Sequence, residues 1–260
     1  MESLAQLTTE GQSLYLADNN KKTGYQYCSN AWSFSENGEF RRAIREAAKA
    51  LFLGIKTGNQ DLLAHAKRDF AIAYSYSGNL DKALEYAQQS LKHYADSRNR
   101  RVVHSWDYKV LGDVAMRRGD PAKAILMYQE SADIADGDLR FFSHASLASA
   151  YLAAGRMDKA REMVTKAASY ISLVGVGSKA GAEATLFRLK ANVAMGEGKF
   201  NDAVKMFEDA ADAIGQTNRS DGAYEQFWAH EGIARAKYAG GDKAGALKAY
   251  LTAITISEQV

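Results

Sequence analysis

SGNLDKALEYAQQSL, residues 77–91, carries a glycine at 78, an alanine five residues later at 83 and a serine a further seven on at 90. Five other stretches share this layout: ENGEFRRAIREAAKAL, RRGDPAKAILMYQESA, AAGRMDKAREMVTKAA, GEGKFNDAVKMFEDAA and AGGDKAGALKAYLTAI. Their anchoring glycines are Gly38, Gly78, Gly119, Gly155, Gly198 and Gly241, spaced 40, 41, 36, 43 and 43 residues apart. Five residues after each glycine stands Ala43, Ala83, Ala124, Ala160, Ala203 or Ala246. Twelve after stands Ala50, Ser90, Ser131, Ala167, Ala210 or Ala253. Seven before stands Ala31, Ala71, Gly112, Ala148, Ala191 or Ala234. Choosing the frame by glycine fixes only the glycine column, so the three small-residue columns are independent confirmation of a repeat.

Close packing explains the columns. Two helices approach to about 8–10 Å only where the side chains between them are small. A glycine suits the left-handed residue that ends a helix. Each unit is therefore expected to be helix A, a tight turn, then helix B. The turn chemistry agrees: Asp120 and Pro121 supply an N-cap acid and a first-turn proline, and Asn79 and Asp242 occupy the same capping place. With six such units the expected architecture is all-α, a right-handed solenoid of twelve repeat helices preceded by one more near residues 2–17. The expected organisation is an N-terminal helix in 1–21 and repeats at about 22–57, 58–97, 98–137, 138–174, 175–217 and 218–260.

The repeat resembles the tetratricopeptide repeat, over about residues 22–257. YKVLGDVAMRRGDPAKAILMYQESA, residues 108–132, is the closest match, with its Leu-Gly pair on helix A, glycine at the turn and alanine on helix B. The period exceeds the family's usual 34 or so residues. It looks like the longer-helix branch found in kinesin light chains and bacterial signalling arrays. The family's proline after helix B is absent, and polar turns such as TGNQ and QTNRS stand in its place.

Composition narrows the function classes. Lys and Arg number 33 against 31 Asp and Glu, so no basic excess points to nucleic acid. The densest basic cluster, Arg98, Arg100 and Arg101, reads as a solvated turn. One cysteine excludes an intrachain disulfide and a multi-thiolate zinc site. It suits a reducing compartment, and cytoplasm is the expected location. No apolar run approaches a membrane span of about 20 residues. Common catalytic motifs are missing, and GVGSKAG at 175–181 falls where a turn between repeats is due rather than after a strand. Cys28 and His65 fall at inner offsets of neighbouring A helices, with no orienting group or oxyanion site beside them. No enzyme, cofactor or metal site is expected.

Residues 13, 10, 6 and 3 before each glycine share one face of helix A. In the resembling family that face lines a concave groove where peptides bind. The set contains all three tryptophans, Trp32, Trp106 and Trp228, together with Phe142 and a broken basic row of Arg68, Lys109, Arg188 and Arg235. Asp113 and Asn192 lie among them. Aromatic residues beside arginine are typical of binding hot spots. These ten residues are the candidate partner-binding set, for a protein or peptide ligand. The competing expectation is that the rings only fill space between helices.

Two functions follow from this set. The first is an interaction scaffold that binds a peptide or partner domain in the groove. The alternative is a regulatory or sensor array of a larger bacterial signalling protein, coupled to a protease-like or DNA-binding domain. The last helix, GALKAYLTAITISEQV, spreads apolar residues over more than one face. Self-association or an adjoining domain is expected there.

Overall fold

The computed structural model describes residues 4–36, 38–93, 100–215 and 221–258. Thirteen α-helices and one 3-10 turn account for nearly all of them, with no strand among the described residues. The first, α1 (Leu4–Ala17), precedes six A–B pairs. In order they are α2 (Gly24–Glu36) with α3 (Phe40–Thr57), α4 (Gln60–Tyr76) with α5 (Leu80–His93), α6 (Arg100–Arg117) with α7 (Pro121–Ile134), α8 (Leu139–Ala153) with α9 (Met157–Tyr170), α10 (Val176–Gly196) with α11 (Phe200–Gly215), and α12 (Asp221–Ala239) with α13 (Lys243–Ser257). The all-α, helix-hairpin architecture expected from the glycine frame is what the chain adopts.

All six framing glycines have a positive φ, between 69° and 91°. Each turn then closes in the same way. The amide of the residue after the glycine donates to the carbonyl five residues back, as from Asn79 to Tyr74 at 2.9 Å and from Asp120 to Ala115 at 3.0 Å. This is the hydrogen bond of a Schellman ending, which requires a left-handed residue at its centre. Asp120, Asn79 and Asp242 then cap the B helices, accepting from the amides of Lys123, Lys82 and Gly245. The eighteen small residues of the three columns are all buried, and none of those with a side chain is more than 2% exposed. At Gly112 the reason for smallness is direct: a Cβ there would lie 2.4 Å from the Tyr128 ring.

The chain forms two compact units, Met1–Ala135 and Asp136–Val260. In the first, α2, α4 and α6 lie side by side as one layer of A helices, each backed by its own B helix. The N-terminal α1 packs on α3 so closely that a Cβ at Gly11 would meet the Ala48 carbonyl oxygen. Phe70, Tyr74 and Tyr86 form a mutual ring cluster in the core of this unit, with Tyr74 stacked on both of the others. In the second unit α8, α10 and α12 make the corresponding A layer, backed by α9, α11 and α13. Its core holds Phe141, Leu147, Leu189 and Phe207.

Two local expectations differ. The glycine-rich stretch at 175–181 is a turn only as far as Gly175, and Val176 onward begins α10. The buried Ala182 and Ala184 further along the helix hold it in place despite three glycines near its start. Arg100 and Arg101 lie in the first turn of α6 rather than in a turn between helices. Arg98, the repeat boundary at 97/98, the QTNRS segment and the boundary at 217/218 lie outside the described residues.

Candidate functional site

The inner offsets on the A helices of the first unit do come together. Trp32 on α2 and Trp106 on α6 meet edge-to-face, with ring centroids 4.4 Å apart and planes at 73°. They sit in different repeats with α4 between them, so the pair spans a whole repeat across Ile72. Both rings remain partly exposed. The Lys109 ammonium lies 5.9 Å from the Trp106 ring centre. A shallow niche between them is lined by Ile72, Ser75, Tyr76, Val110 and Asp113, with room for about one water, roughly 10 Å³. Farther along the same face Tyr25, largely exposed, meets the His65 ring edge-to-face at 5.4 Å.

The cations of this face already hold carboxylates of the chain. Lys109 bridges to Asp113 at 2.9 Å, and Asp113 also accepts from the Tyr128 hydroxyl at 2.7 Å. Burial works against the Lys109 charge, but Asp113 outweighs it and keeps the ammonium above its ordinary pKa. Arg68 turns inward to Asp69, at 2.8 Å, with side chains 11% and 0% exposed. Arg117 donates to the Ser75 carbonyl.

Behind Arg68 lies a polar cluster whose two acids the inner-face pattern does not include. Asp69 and Asp107 are both fully buried, and Cys28 is beside Asp69. Burial raises the Asp107 carboxyl well above the usual carboxylate range, against the Ser90 hydroxyl and the Arg68 charge, which lower it. Burial also raises Asp69, partly offset by Arg68. The hydrogen bonds show why a proton suits Asp107. Ser90 Oγ is 2.8 Å from Asp107 Oδ2 and 3.1 Å from the Ala64 carbonyl oxygen. A hydroxyl has a single proton to donate. With Asp107 protonated, its O–H donates to Ser90, and Ser90 donates to Ala64. With Asp107 ionised, one of the two acceptors goes without.

This predicts a pH dependence. The folded pKa of Asp107 is raised, so the native state holds the proton more tightly than the unfolded chain. The resulting stability is fully present below the unfolded value of about 4, and is lost as pH rises through the folded value. Asp107→Asn does not titrate. Its stability relative to the native chain is expected to rise with pH from about 4 until the folded value is passed, and then to level off, as followed by urea unfolding at each pH. Parallel pH profiles would show that Asp107 titrates as an ordinary carboxyl.

The Cys28–His65 pair has the wrong electrostatics for a nucleophile and base. Burial, with Asp69 adding to it, pushes the Cys28 thiol well above its usual pKa. Burial and the Arg68 charge bring His65 down to about 3. A neutral thiol and a poorly basic imidazole do not form the thiolate that attack requires. Among the described residues no three His, Cys, Asp or Glu side chains gather as metal ligands.

The second unit presents a more polar inner face. Arg188 on α10 faces Glu225 on α12 at 3.5 Å. Arg235 on α12 donates to Asn192 Oδ1 at 3.2 Å and pairs with Glu231 at 2.9 Å. Phe142 and Trp228 are partly buried, each edge-to-face with the residue beside it in sequence, Phe141 and Phe227. Tyr238 is exposed.

The family model described as tetratricopeptide repeat matches residues 68–138 and 188–259, more than half of the chain. The chain belongs to the tetratricopeptide repeat family. No curated protein sequence matches it. Three solved structures are similar in fold. A chain of the APC/C hetero-tetramer Cut9–Hcn1 aligns at 14% identity over 99% of this chain and 44% of its own, with a TM-score of 0.69. BtubC (BKLC) from P. vanneervenii aligns at 15% identity over 89% of this chain and 91% of its own, with a TM-score of 0.62. PilW, a type IV pilus biogenesis factor, aligns at 16% identity over 87% of this chain and 90% of its own, with a TM-score of 0.58. At these identities what is shared is the fold. Tetratricopeptide repeat arrays are in general non-catalytic scaffolds for protein partners, and this chain has that architecture. Among the described residues no helix is long and apolar enough to cross a membrane.

Proposed function

We propose that this tetratricopeptide repeat chain binds a peptide segment of a protein partner on the A-helix face of its first unit, and seats an apolar side chain of that peptide against Trp32 and Trp106. The observation that carries the proposal is the edge-to-face indole pair across α4, partly exposed and flanked by Lys109. Rigid aromatic surface of this kind anchors peptides at low entropic cost. A ligand carboxylate next to the apolar side chain competes with Asp113 for Lys109, so the charged contact weakens with salt. Arg68 supports the face from below by holding Asp69. In the second unit Arg188, Asn192 and Arg235, with Phe142 and Trp228, form a separate, more polar surface for partner carboxylates and amides. A cytoplasmic location suits a lone, buried thiol.

Selection of peptides on the intact chain, followed by titration of the selected peptide, tests this reading. Trp106→Ala is expected to weaken binding about tenfold, close to 1.4 kcal/mol. Trp106→Ala loses the ring pair, worth about 0.5–1.5 kcal/mol, and in addition the buried area of the half-buried indole, so thermal unfolding of the variant accompanies the titration to establish that it is folded. Binding unchanged in a folded Trp106→Ala would assign the indole pair to packing alone.

The α13 helix supports a second surface. Leu247, Tyr250, Leu251 and Ile254 are all exposed along it. We read this face as an association surface, for a second copy or for an adjoining domain of the kind a regulatory array carries.

A further inference from the structure

We infer that the exposed face of α13 docks a second copy of this chain, with the two α13 helices antiparallel about a two-fold axis. The inference rests on the reading of α13 as an association surface and specifies its occupant.

At 100° per residue, Lys243, Leu247, Tyr250, Leu251, Ile254 and Glu258 fall within one stripe about 100° wide. Along the helix the stripe runs charge, four apolar residues, opposite charge. Comparison with the other B helices shows that more is uncovered than the ordinary contact between repeats. Nine residues after each framing glycine stand Ala47, Ala87, Tyr128, Val164 and Phe207, all buried, while Tyr250 is 38% exposed. A following A helix would account for that position. It does not account for Leu251, one residue on and 56% exposed. There the α5, α9 and α11 helices carry Gln88, Thr165 and Glu208, which stay exposed with the next A helix in place. In α3 the same position is Ala48, buried under an extra helix, α1. Leu251 thus calls for a helix lying across α13 itself, not for another repeat in the series.

The stripe is complementary to its own reverse. A two-fold axis between Tyr250 and Leu251 sets Tyr250 against Leu251 of the partner subunit, and Leu247 against Ile254 of the partner subunit. It also sets Lys243 against Glu258 of the partner subunit. An isologous contact demands this self-matching. The end charges give a further reason. Lys243 opens α13 and Glu258 closes it. Each is at the end where its own helix dipole disfavours it. An antiparallel neighbour places each of them beside the opposite pole, where the sign is favourable.

Sedimentation equilibrium of the 260-residue chain over micromolar to millimolar concentration tests the inference. The expected mass rises from 28.4 kDa to twice that value. Leu251→Glu is expected to leave a monomer with an unchanged circular dichroism spectrum. Lys243→Glu alone, or Glu258→Lys alone, sets like charges against each other twice per dimer and weakens it about tenfold. Mixing those two variants restores opposite charges at both ends, so a mixed dimer of native strength is expected. A dimer indifferent to all three substitutions keeps self-association but overturns the α13 geometry. A monomer at every concentration overturns the second-copy proposal outright and leaves the face to an adjoining domain.

Discussion

Arg68→Ala lowers the stability of the protein by about 3–5 kcal/mol. Arg68 has the spacing of a groove residue, yet its guanidinium is nearly closed off and bonds Asp69 at 2.8 Å. Asp69 has no exposed side-chain surface, and its second oxygen has no hydrogen-bond partner. Removing the cation leaves a carboxyl that must either stay charged in a low-dielectric site or take up a proton. Both courses are costly. For a chain of this length the loss corresponds to a fall of roughly 10 °C in melting temperature. Replacing both partners together, as Arg68→Met with Asp69→Leu, removes the stranded charge and is expected to recover most of the loss. Thermal unfolding of the three proteins makes the comparison. If Arg68→Ala costs less than about 1 kcal/mol, the buried pair contributes no more than a surface one.

How much of this was legible beforehand differs between the fold and the site. Helix order, the six left-handed glycines and the buried columns follow from the glycine frame because each is a local backbone or volume requirement. The site depends on where long side chains reach, which periodicity does not encode. Trp32 and Trp106 occupy different offsets in repeats one and three, yet their rings meet across the intervening repeat, in a niche that Ile72 also lines. Arg68 and Lys109 share an expected row, but a neighbouring acid claims each of them. One signal of the hidden cluster was present in the sequence. In the column twelve residues after the glycine, repeats two and three carry serine where the others carry alanine. Those two serines bond the A helices: Ser90 to Asp107 and Ala64, and Ser131 reciprocally with Ser105 at 2.8 Å. Serine at a fully buried position implies a polar partner, and that marks where the interior is not apolar.

The α13 face shows the same division. Its apolar excess is visible as residue types, but the decisive contrast, Leu251 against exposed polar residues in the helices of other repeats, needs the burial of each repeat to be known.

Small residues at fixed offsets from the turn glycine set the distance between helices. One helix offers a direct test. Ala124 and Ala122 are two residues apart on α7, the first fully buried and the second exposed. Ala124 shares a face with Tyr128, whose ring lies against Gly112 on α6, so a larger side chain at 124 pushes α7 away from α6. Leucine has nearly the helix propensity of alanine, so propensity contributes little to the difference. Urea unfolding of Ala124→Leu and Ala122→Leu is the measurement. A loss of about 2–3 kcal/mol is expected at 124 and a change within about 0.5 kcal/mol at 122. Equal stability of the two variants would contradict it.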